Sequence, residues 1–191
     1  MGTVSGTLAG GGRIGPGNSP GILTATSLDP GQLIFDFEFT AIGAPNYSSV
    51  TASSNDVLRL TGTSPFVSAL TSSNIVNVYF DMASVGNGDT FQGGFFTDQQ
   101  ADFFSSISGA TFNYFIRDTL GGTSYNGVQY SPFASPVSVS TVASGPSFNG
   151  GSVEGRITQF SVIVVPEPGT LALLAVGAAL AGSRALRRRR K

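Results

Sequence analysis

Two acidic side chains two residues apart are the first residues in the sequence that could do chemistry. Asp36 and Glu38 lie in the stretch 33–42, where apolar and polar residues alternate. In a β-strand both would point to one face, about 7 Å apart. Paired carboxylates at such a separation can hydrolyse glycosides, which would make the chain a surface enzyme acting on polysaccharide. The alternative is a solvated strand face, which the sequence favours because nothing nearby predicts a raised pKa.

A second group of oxygen-bearing side chains surrounds the Gly-rich turn at residues 86–90. Asp81, Asn87, Asp89 and Asp98 carry the kind of oxygen ligand that Ca²⁺ prefers. Their spacing lacks the EF-hand pattern, so solvated turn residues are the favoured interpretation. We predict no metal site and no cofactor.

The aromatic residues allow a third kind of site. The chain has 15 Phe, 5 Tyr and no Trp, and exposed aromatic rings can stack on sugars. Most of the Phe residues alternate into strands and are predicted to fill the core. Tyr47, Tyr125 and Tyr130 have loop-like surroundings and are the tyrosines expected to be exposed. They would serve a carbohydrate-binding or adhesive module.

Composition removes several classes of function. The chain has no Cys and no His, so disulfides, thiolate sites, the usual zinc sites and a Ser-His-Asp triad are absent. The first 165 residues carry four arginines, no lysine and ten carboxylates. An acidic domain of this kind is not expected to bind nucleic acid.

β-Strands are predicted along most of the chain. The clearest has Leu33, Phe35, Phe37 and Phe39 on one face and polar residues on the other. Further strands are predicted at residues 56–61, 75–82, 111–117, 128–130, 137–142 and 153–165. Asn126-Gly127 is typical of a tight hairpin turn. These strands and turns predict a mainly β fold, an antiparallel sandwich or jelly roll.

One short helix is predicted between residues 97 and 107. Thr97 and Gln100 have the spacing of a capping box. Phe103, Phe104 and Ile107 recur at helical spacing. We expect this helix to lie on the sheet.

The first 32 residues are rich in Gly and Pro and form either a lead-in or a last repeat. Residues 16–23, Pro-Gly-Asn-Ser-Pro-Gly-Ile-Leu, resemble a phrase common near the end of autotransporter-type β-helical repeats. The resemblance implies that residues 1–30 are the last rung of a truncated β-helix, which the β-rich domain at residues 33–165 caps. An ordinary loop-and-strand lead-in is the alternative.

The final 27 residues have three parts in a fixed order. Val165-Pro166-Glu167-Pro168 comes first, and its prolines favour an extended backbone. Residues 169–183 are uncharged and predict a transmembrane helix of roughly 22 Å, short for a hydrocarbon layer of roughly 30 Å. Such a marginal span suits a transient or processed anchor. The basic residues that follow favour a cytoplasmic end: Arg184, Arg187, Arg188, Arg189, Arg190 and Lys191.

This tail resembles the PEP-CTERM sorting signal of Gram-negative envelope and exopolysaccharide-associated proteins. The Pro-Glu-Pro element, the apolar helix and the basic end match at residues 166–191. The resemblance implies that exosortase, a membrane protease-transpeptidase, reads the signal and cuts near Pro166-Glu167-Pro168. It also implies inner-membrane lipid and exopolysaccharide as partners.

The start of the chain does not fit a secretory signal peptide. Residues 1–8 have neither a basic region nor an apolar region. We therefore expect the chain to be the distal part of a longer protein or to have a misassigned start. The sequence predicts a non-enzymatic, β-rich exported protein. Its C-terminal helix would lie in the inner membrane with the bulk extracytoplasmic, and its final location would be the cell surface or extracellular matrix.

Overall fold

Ten β-strands and one short helix make up the described part of this 191-residue chain. The computed structural model describes residues 2–16, 20–43, 54–99, 102–144 and 155–163. The strands and the helix are β1 Gly2–Ile14, β2 Ile22–Phe39, β3 Val57–Leu60, β4 Ile75–Phe80, β5 Thr90–Thr97, α1 Phe104–Ile107, β6 Thr111–Arg117, β7 Thr123–Tyr125, β8 Val128–Pro132, β9 Val137–Ser144 and β10 Gly155–Val162. The prediction of a mainly β fold is confirmed.

The strands stack in parallel through the middle of the sheet. β1 pairs with β2 in parallel, and β2 pairs in parallel with β3 through residues 22–25 and with β4 through residues 34–39. β3 and β4 then pair in parallel with β5 and β6. Each turn of the chain therefore lies on the turn before it, as in a solenoid.

Two antiparallel hairpins close one end of this stack. β7 and β8 pair with each other, and β8 joins the edge of β6. β9 and β10 pair with each other, and β10 joins the edge of β5. The resulting order is β7-β8-β6-β4-β2-β3-β5-β10-β9, with β1 lying beside β2 outside this path.

The prediction of an antiparallel sandwich or jelly roll is wrong for the central strands, because these pairings are parallel. Side chains alternate with a period of two in both kinds of sheet, so the pattern does not reveal strand direction. Parallel neighbours need long connections between them. Residues 61–89 connect β3 to its parallel neighbour β5, and residues 81–110 connect β4 to β6. The parallel stacking starts at β1 and continues to β6. The resemblance to autotransporter-type repeats stays a prediction.

Phenylalanine rings fill the interior of the stack. Phe35, Phe37 and Phe39 of β2 are buried, as predicted. The rings of Phe35 and Phe37 both meet the ring of Phe95 edge-on, at centroid distances of 5.1 and 5.2 Å. The ring of Phe39 meets that of Phe160 at 5.3 Å. Each such buried ring contributes about 1.5–3 kcal/mol relative to an exposed one.

The predicted helix is much shorter than residues 97–107. Thr97 is the last residue of β5 and pairs with Leu60 of β3, so it is held in the sheet. Its hydroxyl accepts a hydrogen bond from the amide of Gln99 at 3.1 Å. The helix covers only Phe104–Ile107, without a side-chain cap. The predicted capping box is therefore wrong at Thr97, because residues 98 and 99 form a bend and not the first turn of a helix. Gln100 lies outside the described residues.

Two predicted boundaries can be compared with the structure: the one between the lead-in and the β-rich domain, and the end of the last strand. β2 runs through residues 32 and 33, where the division between the lead-in and the β-rich domain was drawn. β10 ends at Val162, and Ile163 is not part of the strand, so the predicted continuation is wrong at that residue. Residues 164 and 165 of the prediction lie outside the described residues. Within the described residues, no helix is long and apolar enough to cross a membrane. The predicted transmembrane segment, residues 169–183, lies outside them.

Candidate functional site

A hydrogen-bonded ladder of polar side chains crosses four stacked strands. It lies on the second face of β2, which carries Asp36 and Glu38 and is opposite the face of the buried Phe residues. Asp36 of β2 lies beside Asn77 of β4, which lies beside Asn113 of β6. The side-chain amide of Asn77 donates to Asp36 Oδ1 at 2.8 Å, and the side-chain amide of Asn113 donates to Asn77 Oδ1 at 3.0 Å. Arg13 of β1 donates to both Asp36 oxygens, at 2.9 and 2.7 Å. The parallel register produces this ladder, because it places equivalent positions of successive turns next to one another.

The predicted solvated face of β2 is wrong. The exposed fractions of Asp36 and Glu38 are only 3% and 4%. The hairpin β7–β8 contributes to the cover, since the amide of Asn126 donates to Glu38 Oε2 at 3.1 Å. The ring of Tyr125 in the same hairpin stacks on the ring of Tyr79 with centroids 4.3 Å apart. The hairpin β7–β8, which is distant in sequence, therefore helps to bury a face of β2 that the local alternation predicts to be exposed.

The covering hairpin has the tight turn that its sequence predicts. Asn126 and Gly127 both have positive φ, at 48° and 80°, which is typical of a two-residue type I′ turn. Tyr125 pairs with Val128 across this turn. The prediction for Asn126-Gly127 is confirmed, and the turn places the Asn126 amide over Glu38.

Burial raises the pKa of Glu38 above its usual value. The Asn126 amide opposes this rise, and the negative charge of nearby Asp81 adds to it. Arg117 offsets part of the rise and forms an ion pair with Asp81 at 3.0 Å. The expectation that no pKa is raised near the carboxylate pair is wrong, because the burial comes from contacts that the sequence does not show.

Asp56 is a buried carboxylate that the sequence pattern does not mark as a site residue. Its Oδ1 accepts a hydrogen bond from the backbone amide of Gly21, and its Oδ2 accepts one from the backbone amide of Glu38, each at 2.7 Å. Burial raises its pKa to about 8, although these two amides act in the opposite direction. The residue joins the start of β2 to its end. The neighbouring sequence does not distinguish Asp56 from the first residue of an ordinary strand, which is how the pattern at residues 56–61 predicts it.

The two carboxylates considered for glycoside hydrolysis, Asp36 and Glu38, are engaged by protein groups. Both oxygens of Asp36 accept hydrogen bonds from Arg13 or Asn77, and Oε2 of Glu38 accepts one from Asn126. Two surface pockets, with volumes of about 240 and about 500 Å³, are lined mainly by residues of β6 and β8 and their flanks. Neither pocket is lined by Asp36 or Glu38. This arrangement is suited to holding strands together.

The oxygen ligands considered for Ca²⁺ are not brought together. Asp98 binds Arg59 through two hydrogen bonds of 3.0 and 2.8 Å, and Asp81 pairs with Arg117. Asp89 accepts a hydrogen bond from the amide of Gly86 at 2.6 Å within its own turn. In the part of the chain that the structure describes, no three acidic side chains are grouped to hold a metal ion.

The tyrosines predicted to be exposed differ from one another. Tyr130 is fully buried, so its predicted exposure is wrong; its ring lies edge-on against Tyr79, with centroids 5.0 Å apart. Tyr125 is half-buried in its stack on Tyr79. Tyr47 lies outside the described residues. A sugar platform built on Tyr125 and Tyr130 together is therefore not formed.

The predicted sorting element follows directly after a firmly held strand. Val162 of β10 donates to the carbonyl of Asp89 at 3.0 Å, and Ile163 donates to the carbonyl of Pro136 at 2.9 Å. The predicted motif residues Val165, Pro166, Glu167 and Pro168 and the basic end lie outside the described residues. The described part of the domain therefore extends to Ile163, two residues before the predicted motif begins.

Comparison with protein families identifies this last segment. The family described as the PEP-CTERM protein-sorting motif matches residues 164–190. The chain carries a PEP-CTERM sorting motif. PEP-CTERM motifs are recognised by exosortase and imply an exported, envelope-directed protein. No curated protein and no solved structure matches the chain.

Proposed function

We propose that the protein is a non-enzymatic component of the cell envelope or extracellular matrix that exosortase sorts by its PEP-CTERM tail. The observation that carries this proposal is the match of residues 164–190 to the sorting motif. The β-rich domain is the cargo, and its last strand leads directly into the motif. Nucleic acid is not among the proposed partners, because the domain is acidic.

The proposed mechanism depends on membrane topology. Residues 169–183 enter the inner membrane as a short helix, and the six basic residues that follow keep the end of the chain in the cytoplasm. The domain is then extracytoplasmic, and exosortase reads Pro166-Glu167-Pro168 and releases or transfers it. Inner-membrane lipid is thus a transient partner, and exopolysaccharide is the proposed surrounding of the mature protein.

The non-enzymatic role draws support from how the carboxylates are used. A glycosidase needs two carboxylates that can reach a sugar. Asp36 and Glu38 instead lie under a hairpin and bind Arg13, Asn77 and Asn126. Their contacts favour a structural role over a catalytic one.

Charge reversal at the end of the chain tests the proposed topology. Replacing Arg187–Arg190 and Lys191 by Glu should scramble the orientation, because the basic residues no longer resist translocation. External protease should then digest the domain in only a fraction of the molecules in spheroplasts. Replacing Arg187–Arg190 by Lys keeps the charge and should leave digestion unchanged. Equal digestion of the Glu variant and the parent would contradict the proposed topology.

A further inference from the structure

Two large apolar side chains are exposed at the end of the domain from which the sorting tail leaves. Ile42 follows β2 and has 54% of its surface exposed, and Ile163 follows β10 and has 48% exposed. A single exposed apolar side chain is common on protein surfaces. These two are far apart in the sequence, and the fold brings them to the same end of the sheet.

The start of β5 lies between the two isoleucines. The amide of Gly43 donates to the carbonyl of Thr90 at 2.7 Å, and Ser161 pairs with Thr90 from the other side of β5. Because neighbouring strands lie about 4.8 Å apart, the backbones at Gly43 and Ser161 are separated by about 10 Å. Ile42 and Ile163 therefore flank one strand end.

The chain around the two isoleucines carries no cation. Residues 40–43, 82–90 and 162–163 contain no Lys or Arg, and their one charged residue is Asp89. The carboxylate of Asp89 accepts a hydrogen bond from the amide of Gly86 within its own turn. Apolar side chains without neighbouring cations are suited to the boundary between headgroups and acyl chains, and not to attraction by anionic headgroups alone.

The tether between this end of the domain and the proposed membrane helix is short. Five residues, 164–168, separate Ile163 from residue 169, and they span at most about 18 Å when fully extended. The headgroup layer of one leaflet takes up about 5–8 Å of that length. β5 alone extends about 26 Å away from this end. The inserted tail therefore keeps the end that carries Ile42 and Ile163 at the membrane surface.

We propose that the surface formed by Ile42 and Ile163 rests on inner-membrane lipid while the tail is anchored, and leaves it when exosortase cuts the tail. This inference rests on the proposed function, because the inserted tail brings the surface to the lipid. A whole myristoyl chain gives only marginal membrane binding, so two isoleucines do not hold the domain without the tether. The contact positions Pro166-Glu167-Pro168 at the membrane surface, where a membrane protease can reach it.

Tryptophan fluorescence tests this contact in the full-length chain, which has no tryptophan of its own. The Ile42→Trp variant is reconstituted in vesicles of phosphatidylethanolamine and phosphatidylglycerol, with or without bromine on the acyl chains. Brominated lipid should lower its emission by about half, because a side chain at the acyl boundary lies within reach of the quencher.

Val67→Trp is the matched control and should keep its emission in brominated lipid. Val67 is 60% exposed. It follows Leu60, which pairs with Thr97 at the far end of β5. Adding Ile163→Ser to Ile42→Trp should restore much of the lost emission, whereas adding Val67→Ser should not. Unchanged quenching with Ile163→Ser would contradict a surface shared by the two isoleucines. Circular dichroism confirms that each variant folds.

Vesicle flotation separates this inference from the proposed function. A full-length chain that does not float with the vesicles has no inserted tail, which would overturn both proposals. A chain that floats while Ile42→Trp is not quenched would overturn the lipid contact and leave the sorting proposal intact. Quenching that occurs only when the vesicles also contain exosortase would assign the surface to the enzyme and overturn its assignment to lipid.

Discussion

At the scale of single residues, the ladder Arg13–Asp36–Asn77–Asn113 connects four strands that are far apart in sequence. The separations between neighbours are 23, 41 and 36 residues. Each rung of the ladder exists only because the parallel register is kept. The ladder therefore fixes the register of the stack as well as adding hydrogen bonds.

Removing the middle of the ladder should cost more than removing its end. Asn77→Leu leaves Asp36 without one donor and Asn113 without an acceptor, on a face where Asn77 is buried. We expect the free energy of unfolding to fall by about 1–3 kcal/mol. Asn113→Leu, at the half-buried end, is the matched control and should cost less. Urea denaturation measures both, and equal losses would mean that the ladder does not act as a connected unit.

Asp56 should make stability depend on pH. Its pKa is about 8 in the folded chain against an ordinary value of 3.8, so the folded state binds a proton more tightly than the unfolded state between these values. The free energy of unfolding contributed by this group is therefore greatest below about pH 4 and falls as the pH rises toward 8. Urea denaturation at several pH values should show this decline.

The Asp56→Asn variant isolates that contribution. It should be less stable than the parent at acid pH, because one buried amide loses its acceptor, and its stability should decline less between pH 4 and pH 8. Asp102→Asn, at an exposed position, is the control and should keep the decline of the parent. A decline in Asp56→Asn as steep as in the parent would contradict the role given to Asp56.

At the scale of elements, the hairpin β7–β8 decides whether the second face of β2 is buried. Asn126 lies 88 residues from Glu38 in the sequence, and Tyr125 and Tyr130 both pack on Tyr79. The turn at Asn126-Gly127 is local and was predictable from the sequence. The contacts that the hairpin makes are not local, so the burial of Asp36 and Glu38 was not predictable.

The difference between local and non-local features also explains which parts of the fold the sequence could predict. Period-two alternation identified β2 and the burial of Phe35, Phe37 and Phe39, because it depends only on neighbouring residues. Strand direction depends on the connections between strands, so the alternation could not reveal that β2 pairs in parallel with β3 and β4. The capping pattern at Thr97 failed because residues 98 and 99 form a bend, and the helix begins only at Phe104.

Two glycines in and beside the hairpin allow a matched test of its turn. Gly127 has a φ of 80° and open space around it, and Gly122 has open space without a positive φ. Gly127→Val should destabilise the hairpin by about 1–3 kcal/mol through backbone strain, whereas Gly122→Val should have little effect. Amide hydrogen exchange should quicken in β7 and β8 of the first variant alone. Equal exchange in both variants would contradict the strain at the turn.

At the scale of the whole molecule, the chain consists of a stacked β domain followed by a sorting tail. The tail was predictable because its three parts are contiguous and each has its own composition. The role of the domain depends on surfaces that form only after folding.

The most direct test of the central claim is the C-terminal sequence of the mature protein, measured by mass spectrometry in cells with and without exosortase. With exosortase, the released protein should end near Pro166-Glu167-Pro168 and lack residues 171–191. Without it, residues 169–183 should remain and the protein should stay in the membrane fraction. The double variant Pro166→Ala and Pro168→Ala should remain unprocessed, whereas the control Pro132→Ala and Pro136→Ala should be processed normally. A mature protein that keeps residues 184–191 in both strains would contradict the account.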